Sequence, residues 1–316
     1  MKFTIAIDLG GTIIKIGLLN NGELIDRKEL QAQSSTGLTA HTPVLEIAID
    51  ELMLANQLAL TDILGIGFSF PGLVDSSKNK ILSTNKKYDD GSDIDLVAWA
   101  WDKWALPLYV ENDARLALLG EWQFGAGRGC ENIVMVTLGT GIGSAVLIEG
   151  ELLRGKHFQA GNLCGHLTVN HRGTICTCGN KGCMESEAAT WRLPQLIKTN
   201  SDYESSSLRH ENLLDYEALF RNSINNDILA LEILDHCYSV WSSGIISMIH
   251  AFDPEMIIIS GGIIKSGSVI MPELQSRINQ YAWTPWGKVK LVEAQYPDSA
   301  ALFGADYMVR LSLDIR

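Results

Sequence analysis

The sequence lacks features that define several large classes of proteins. It has no apolar stretch near the roughly 18 residues that a transmembrane helix needs, and it has no low-complexity run. Basic residues are scarce, with 25 lysines and arginines against 37 aspartates and glutamates, a net charge of −12. Binding to nucleic-acid phosphates requires a basic face. We therefore expect neither a membrane span nor a nucleic-acid partner.

Cysteine is also sparse, with six residues in 316, and a disulfide framework is unusual in a chain of this size. The first residues, MKFTIAIDLGG, contain one lysine and pass at once into a strand-like alternation, which predicts no signal peptide. Both observations favour a cytoplasmic protein. Hydrophobic residues are plentiful, at 46% of the chain against 20% charged. This composition is typical of a globular protein, and the length suffices for two lobes.

Three of the six cysteines lie close together on a glycine-containing loop, CTCGNKGCMES. Structural zinc takes four nitrogen or sulfur ligands, so Cys176, Cys178 and Cys183 leave one position to fill. The upstream candidates are His166 and His171. We favour His166, because the segment around His171, VNHRGT, is typical of a hairpin tip. The alternative is a set of reduced thiols that bind no metal.

An internal repeat relates the two halves of the chain. A shift of 129 residues aligns IAIDLGGTIIKIGLL (5–19) with VMVTLGTGIGSAVLI (134–148), and each segment predicts a strand, a glycine turn and a second strand. Two unrelated hairpins are the alternative to duplication. The remaining sequence alternates strands with helices, which predicts sheets covered by helices. Two such lobes would leave a cleft, where small ligands usually bind.

Each copy of the repeat contains a glycine turn that suits phosphate oxygens, because backbone N–H groups without neighbouring side chains can approach them closely. The first turn also carries a carboxylate that can hold Mg²⁺ directly or through water. A third glycine pair, after a predicted buried strand Met256–Ser260, suits a nucleotide base or ribose, and a strand-to-helix turn is the alternative. The candidate nucleotide- and phosphate-binding residues are Asp8, Gly10, Gly11, Thr12, Gly139, Thr140, Gly141, Gly261 and Gly262.

Between the two copies, Glu111-Asn112-Asp113 joins a predicted strand to a predicted helix. Asparagine and aspartate are preferred at helix N-caps. A carboxylate at a strand end also suits a general base, and phosphoryl transfer uses one such group to orient the attacking oxygen. The two interpretations are compatible, with Asn112 as the cap and Asp113 as the base.

Together these segments resemble the ROK family of sugar kinases and related repressors. The resemblance runs over nearly the whole chain, through IAIDLGGT, GIGFSFPGLVD, VENDARLALLGEWQFGAG, TLGTGIG and a Gly-His pair followed by CTCGNKGCME. It implies an α/β, two-lobed, actin-like ATPase fold of duplicated ribonuclease-H-like domains with a zinc-binding loop. The implied boundaries are 1–112 for the N-terminal lobe, about 301–316 for a C-terminal helix that completes it, 113–300 for the C-terminal lobe and 166–185 for the zinc loop.

The resemblance also implies an activity, the ATP-dependent phosphorylation of a sugar hydroxyl in a hexose or hexose derivative. The implied cofactors are ATP, Mg²⁺ and a structural Zn²⁺, and the implied assembly is a homodimer. Asp113 carries over as the catalytic base. The implied sugar contacts are Asn85, Asn112, His166 and Glu185. The implied zinc ligands are His166, Cys176, Cys178 and Cys183.

Three residues depart from the family pattern. Leu163 stands three residues before His166, where family glucokinases usually carry a glutamate, and this puts glucose in doubt. Ile13 follows DLGGT where many members have a lysine, although Lys15 lies two residues further on. Arg115 stands where members usually have a small polar residue. It either binds an anionic substrate group or, as we favour, pairs with a neighbouring carboxylate.

Two other functions compete with the kinase. A repressor of the same family needs a DNA-binding segment before the first phosphate motif, whose strand begins here at Phe3, and the net charge of −12 also argues against it. A sugar-binding protein that has lost catalysis is suggested by Leu163. The presence of Asp8, Asp113 and both glycine turns favours the enzyme.

Overall fold

The computed structural model describes residues 2–84 and 86–315. The predicted sugar contact Asn85 lies outside these residues. The chain divides into two compact units. The first consists of the residues up to Gly129, Arg154–Ala160 and the residues from Gln295 onward, and the second of Cys130–Leu153 and Gly161–Ala294.

Strands and helices alternate along the described residues, as the sequence pattern predicts. In chain order they are β1 (Phe3–Leu9), β2 (Ile13–Asn20), β3 (Glu23–Gln31), α1 (Thr42–Ala55), β4 (Ile63–Phe70), β5 (Leu73–Asp75), β6 (Lys80–Ser83), α2 (Leu96–Trp104), β7 (Leu108–Asn112), α3 (Asp113–Phe124), β8 (Ile133–Leu138), β9 (Ile142–Ile148), β10 (Glu151–Leu152), α4 (Met184–Ala188), α5 (Leu193–Lys198), α6 (Tyr216–Ile224), α7 (Ile228–Phe252), β11 (Met256–Ser260), α8 (Gly267–Tyr281), β12 (Lys290–Glu293) and α9 (Ala300–Ser312).

Each unit contains a five-stranded mixed sheet, and the two sheets have the same topology. The order is β3-β2-β1-β4-β7 in the first and β10-β9-β8-β11-β12 in the second. In both, the first three strands form an antiparallel meander and the last three run parallel. The ends also correspond, since β1 stops at Leu9 and β8 at Leu138, in line with the 129-residue shift. This agreement supports duplication.

The burial of each strand follows its position in the sheet. Strand β4, in a parallel and central position, has the sequence ILGIGFSF and is almost entirely buried, as expected when helices cover both faces. The edge strand β3 alternates between exposed and half-buried residues. Each unit has its own hydrophobic core around its sheet.

Helices α3 and α9 pack closely within the first unit, because a glycine on each removes the side chain at the contact. A methyl group on Gly120 would lie 2.0 Å from the carbonyl oxygen of Ala300, and one on Gly304 would lie 1.8 Å from that of Leu116. This packing holds α3 in the first unit, which therefore extends past the expected boundary at residue 112. Over the described part of the chain, no helix has both the length and the apolar character to cross a bilayer.

Candidate functional site

The first glycine turn joins β1 to β2. The Gly10 N–H donates to the carbonyl oxygens of Asp8 at 3.2 Å and Ile13 at 3.1 Å. A methyl group on Gly10 would lie 2.3 Å from the Ile13 carbonyl oxygen, so only glycine fits there. Gly11 and Thr12 are exposed, and neither of their backbone N–H groups donates to a described residue. The turn therefore offers two N–H donors to a ligand.

The carbonyl groups of the same turn are bound by the protein. The buried Tyr88 hydroxyl donates to the Gly10 carbonyl at 2.8 Å, and the Ala32 N–H donates to that of Thr12 at 2.8 Å. Burial, with a smaller contribution from the negative charge of Asp8, raises the pKa of Tyr88 to about 12, so Tyr88 remains a donor at neutral pH. The turn is thus fixed by its acceptors, while its donors remain available for an anion.

Asp8 lies at the end of β1, beside this turn. Its carboxylate accepts a hydrogen bond of 2.7 Å from Ser69 Oγ on the neighbouring parallel strand β4. Burial raises the pKa of Asp8, although the Ser69 hydrogen bond and the positive charge of Lys15 oppose the shift. A carboxylate next to a phosphate-binding turn fits Mg²⁺, which usually takes one or two protein carboxylates and completes its coordination with phosphate oxygens and water.

Asn112 and Asp113 occupy the junction between β7 and α3. Asn112 is the N-cap, since its Oδ1 accepts the Arg115 N–H at 3.2 Å. Its Nδ2 donates to the Gly72 carbonyl at 2.9 Å and to Asp113 Oδ1 at 2.8 Å. Asp113 Oδ1 also accepts the Ala114 N–H at 2.8 Å. Asn112 therefore acts as the cap and also orients the carboxylate of Asp113.

The environment of Asp113 suits a general base. Burial, together with the nearby negative charge of Asp8, raises the pKa of Asp113 to about 6. The Ala114 N–H, the positive charge of Lys87 and the Asn112 amide oppose this shift. A carboxylate with this pKa is ionised at neutral pH and takes up a proton more readily than an ordinary aspartate. Two interacting carboxylates with different surroundings are common at catalytic sites.

Arg115 pairs with a carboxylate, as we favoured from the sequence. Its guanidinium lies 3.4 Å from Glu111, and neither side chain has any exposed surface. It also donates to the carbonyl oxygens of Phe158 and Ala160, each at 3.0 Å. Arg154 binds the second oxygen of Glu111 at 2.9 Å. These bonds attach the Arg154–Ala160 segment to the first unit, and Arg115 is therefore structural.

The second glycine turn joins β8 to β9 in the second unit. The Gly139 N–H donates to the Gly141 carbonyl at 3.1 Å, and Thr190 Oγ1 donates to the Gly139 carbonyl at 2.8 Å. Glu185 Oε2 accepts the Ile142 N–H at 2.9 Å. A methyl group on Gly141 would lie 2.7 Å from the same oxygen. Glu185 is thus bound to this turn, a contact that the sequence did not indicate.

The third glycine pair lies beside the second turn. Gly261 has φ of 94°, in the left-handed region that favours glycine. A methyl group on it would lie 2.3 Å from the carbonyl oxygen of Leu138, the last residue of β8. Gly262 has open space where a side chain would stand. The second unit therefore brings together the two glycine segments that the sequence marks for the nucleotide.

The cysteine cluster forms within the second unit. Donor atoms of His166, Cys176, Cys178 and Cys183 all lie within 4.8 Å of one another, and His171 does not belong to the cluster. The Sγ atoms of Cys178 and Cys183 are 3.7 Å apart, and Cys176 Sγ lies 3.5 Å from His166 Nδ1. Tetrahedral zinc, with bonds of about 2.3 Å to sulfur and about 2.0 Å to nitrogen, places its ligands about 3.5–3.8 Å apart. The residues present fit zinc.

The cluster leads directly into α4. Cys183 is the N-cap of this helix, and Glu185 lies in its first turn. The preceding Gly182 has φ of 66°, and a methyl group there would lie 1.6 Å from the Asn170 carbonyl oxygen. The cysteine cluster is therefore connected through α4 to Glu185, and through the Glu185 hydrogen bond to the second glycine turn.

Leu163, the residue that departs from the glucokinase pattern, is 38% exposed. Its neighbour Asn162 donates from Nδ2 to the Ser144 carbonyl at 3.2 Å. The Cys164 N–H donates to Ser144 Oγ at 3.0 Å. The exposed side chain of this segment, Leu163, is thus apolar. The amide side chain of Asn162 binds the backbone of β9.

Comparison with known proteins identifies the family. The mixed sheets and the structural likenesses fit the actin-like ATPase fold. The ROK family model matches residues 4–311, and the chain therefore belongs to the ROK family. The glucokinase of Halalkalibacterium halodurans is 29% identical over 293 residues, which cover 89% of this chain and 86% of that protein.

Two further relatives show the range of the family. The xylose repressor of Bacillus subtilis is 28% identical over 248 residues, covering 78% of this chain and 61% of the repressor. Among solved structures, the ROK hexokinase of Thermus thermophilus is 25% identical, with a TM-score of 0.79 and coverage of 99% of both chains. The chain is therefore similar to kinases along its whole length and to repressors along most of it.

Proposed function

We propose that the protein is a ROK-type carbohydrate kinase that transfers the γ-phosphoryl group of ATP to a hydroxyl of a hexose or hexose derivative. The observation that carries this proposal is Asp113, a carboxylate with a raised pKa that lies beside a phosphate-suited turn and is oriented by Asn112. The similarity to a glucokinase and a ROK hexokinase supports the same reaction.

In the proposed reaction, Asp113 takes the proton of the sugar hydroxyl as the oxygen attacks the γ-phosphorus. Oδ1 of Asp113 already accepts two hydrogen bonds, from Asn112 and Ala114. Oδ2 accepts none from the described residues, so we assign it as the atom that receives the proton. The bond from the γ-phosphorus to the bridging oxygen breaks, and ADP leaves with the electron pair.

The nucleotide phosphates are assigned to the glycine turns. The N–H groups of Gly11 and Thr12 would bind phosphate oxygens in the first unit. In the second unit, Gly139–Gly141 would take further phosphate oxygens, and Gly261 and Gly262 would leave room for the ribose or base. Asp8 would hold Mg²⁺, which when bound neutralises charge on the phosphates.

The sugar contacts are assigned from the family resemblance and the contacts of each side chain. Glu185 uses Oε2 for the Ile142 N–H, which leaves Oε1 for a sugar hydroxyl. His166 would bind zinc through Nδ1 and a sugar hydroxyl through Nε2. Asn85 and Asn112 complete the proposed set. Zinc, when bound, would hold the loop that carries His166 and leads to Glu185. We also propose that the protein is a homodimer.

A substrate panel tests this proposal. Hexoses, aminosugars and disaccharides would each be added to the full-length protein with ATP and Mg²⁺ in a coupled ADP-release assay. We expect sugar-dependent ADP release with at least one sugar, and we expect Asp113→Asn to abolish most of it. If the protein binds a sugar of the panel tightly but releases no ADP with it, the protein is a sugar-binding member of the family and the kinase proposal is wrong.

A further inference from the structure

A lysine side chain lies over the first glycine turn. A methyl group built on Gly11 would lie 3.4 Å from both Cε and Nζ of Lys87. The ammonium of Lys87 is also near enough to Asp113 to oppose the rise in the pKa of that carboxyl. One half-buried cation therefore lies beside both the turn assigned to phosphate and the proposed base.

The backbone around Lys87 adopts an uncommon conformation. Lys86 has φ of 60° and Tyr88 has φ of 54°, both in the left-handed region that side chains disfavour. The buried Tyr88 holds the segment in place, through its hydroxyl to the Gly10 carbonyl and its N–H to the Ser34 carbonyl at 2.7 Å. Such backbone strain persists where the surroundings enforce it, and it is frequent at ligand-binding sites. These contacts hold the backbone that carries Lys87 beside the turn.

A second lysine, Lys15, also has a charge that acts on Asp8 beside the turn, but it is bound by the protein. Lys15, on β2, donates from Nζ to the Asp298 carbonyl at 2.6 Å. Ile13, the residue directly after the turn, is apolar and contributes no charge there. The ammonium of Lys87 makes no hydrogen bond or ion pair with a described side chain or carbonyl, so its three donors are available to a ligand.

We propose that Lys87 binds the transferred phosphoryl group at the Gly10–Gly11–Thr12 turn and is a further catalytic residue. A lysine ammonium binds phosphate as a compact positive charge. During transfer, negative charge spreads over the equatorial oxygens of the phosphoryl group, and a positioned cation stabilises it. Lys87 stays protonated throughout, because the sugar proton goes to Asp113. This inference rests on the proposed kinase function and adds a residue to it.

The first test compares neighbouring lysines of equal charge. In Lys87→Met we expect kcat to fall by about 10²-fold or more, the usual effect of removing one positioned donor to a transition-state oxyanion. The KM for the sugar should change less than about threefold, since Lys87 has no proposed sugar contact. The exposed Lys86→Met is the matched control and should retain at least half of wild-type kcat. Lys87→Arg, which keeps the charge, should recover part of the loss.

The second test needs no turnover. Calorimetric titration with the Mg²⁺ complexes of AMPPNP and ADP separates contacts to the γ-phosphoryl group from contacts to the rest of the nucleotide. We expect Lys87→Met, or Lys87→Gln if the first variant is poorly folded, to weaken AMPPNP binding at least about tenfold and ADP binding less than about threefold. Equal losses for the two nucleotides, or a Lys87→Met or Lys87→Gln protein with more than a third of wild-type kcat, would overturn the role of Lys87. If the wild type phosphorylates no sugar, the kinase proposal fails, and this titration alone decides whether Lys87 binds the phosphoryl group.

Discussion

Replacing Asp113 by asparagine distinguishes a catalytic base from a residue that merely begins a helix. Asparagine keeps the shape, and its Oδ1 can still accept the hydrogen bonds from Ala114 and Asn112. Its Nδ2 then replaces Oδ2, the oxygen assigned to receive the proton. An amide cannot take up a proton at neutral pH, so we expect kcat to fall by about 10²–10⁴-fold, the usual contribution of a general base.

The same change should not destabilise the protein. The pKa of Asp113 is raised from 3.8 to about 6, which means that folding disfavours the ionised carboxylate. At neutral pH this costs at most about 3 kcal/mol, at ~1.4 kcal/mol per pKa unit. Because Asp113 is half-buried and not fully buried, solvent screening makes the cost smaller than this. The cost is complete above the folded pKa and disappears as the pH falls below 3.8. Asp113→Asn should therefore gain stability at pH 8 and gain little at pH 4.

The assay measures kcat, sugar affinity and Tm at two pH values on the same preparations. Asp102→Asn, at an exposed position of α2, is the control for loss of one negative charge and should match the wild type in all three. Retained sugar binding, an unchanged or higher Tm at pH 8 and lost turnover together identify Asp113 as the base. A variant that keeps more than a tenth of wild-type kcat would refute this reasoning and reduce Asp113 to a structural residue.

Three further predictions concern pH, zinc and the sugar. The value of kcat/KM should fall about tenfold per pH unit below pH 6, because protonated Asp113 cannot accept a proton; a profile that stays flat down to pH 5 contradicts this. Protein purified without added metal should contain about one zinc per chain by elemental analysis, and Cys178→Ser should lower both Tm and sugar affinity, since metal binding and local folding are coupled. Active, folded protein with less than about a tenth of an equivalent would remove the zinc assignment. Glucose should bind about tenfold to a hundredfold more weakly than the best sugar, because Leu163 lacks the charge-assisted hydrogen bond of a glutamate; a panel in which glucose has the lowest KM contradicts this.

The elements that the sequence predicted well have strong local signals. The repeated hairpins and Met256–Ser260 are β-branched segments bounded by glycine, and their ends lie where the glycines indicate. Helix α8 has a weaker signal in the sequence, since Pro272 lies inside it and a proline normally argues against a helix interior. Strand β12 is short and only partly buried, and it pairs with β11. Its sequence lacks the apolar run of β11 and therefore gives only a weak strand signal.

The site could be predicted in its motifs but not in its contacts. Asn112 and Asp113 are adjacent in the sequence, so their proposed roles as cap and base could be inferred from one short motif. The three cysteines lie within one loop, so their spacing alone predicted the cluster. The bond from Glu185 to Ile142 and the position of Lys87 over Gly11 join segments far apart in the sequence. Periodicity and spacing carry no signal that Lys87, which is distant in the sequence, lies over the first turn.

The most direct test of the account is the identity of the product. ³¹P NMR of the full-length protein with ATP, Mg²⁺ and the best sugar of the panel distinguishes phosphoryl transfer to the sugar from hydrolysis of ATP. We predict that a sugar phosphomonoester appears one for one with ADP, and that Asp113→Asn forms almost none over the same time. Inorganic phosphate in place of the monoester, or no reaction with any sugar that binds, would contradict the assignment of this protein as a sugar kinase.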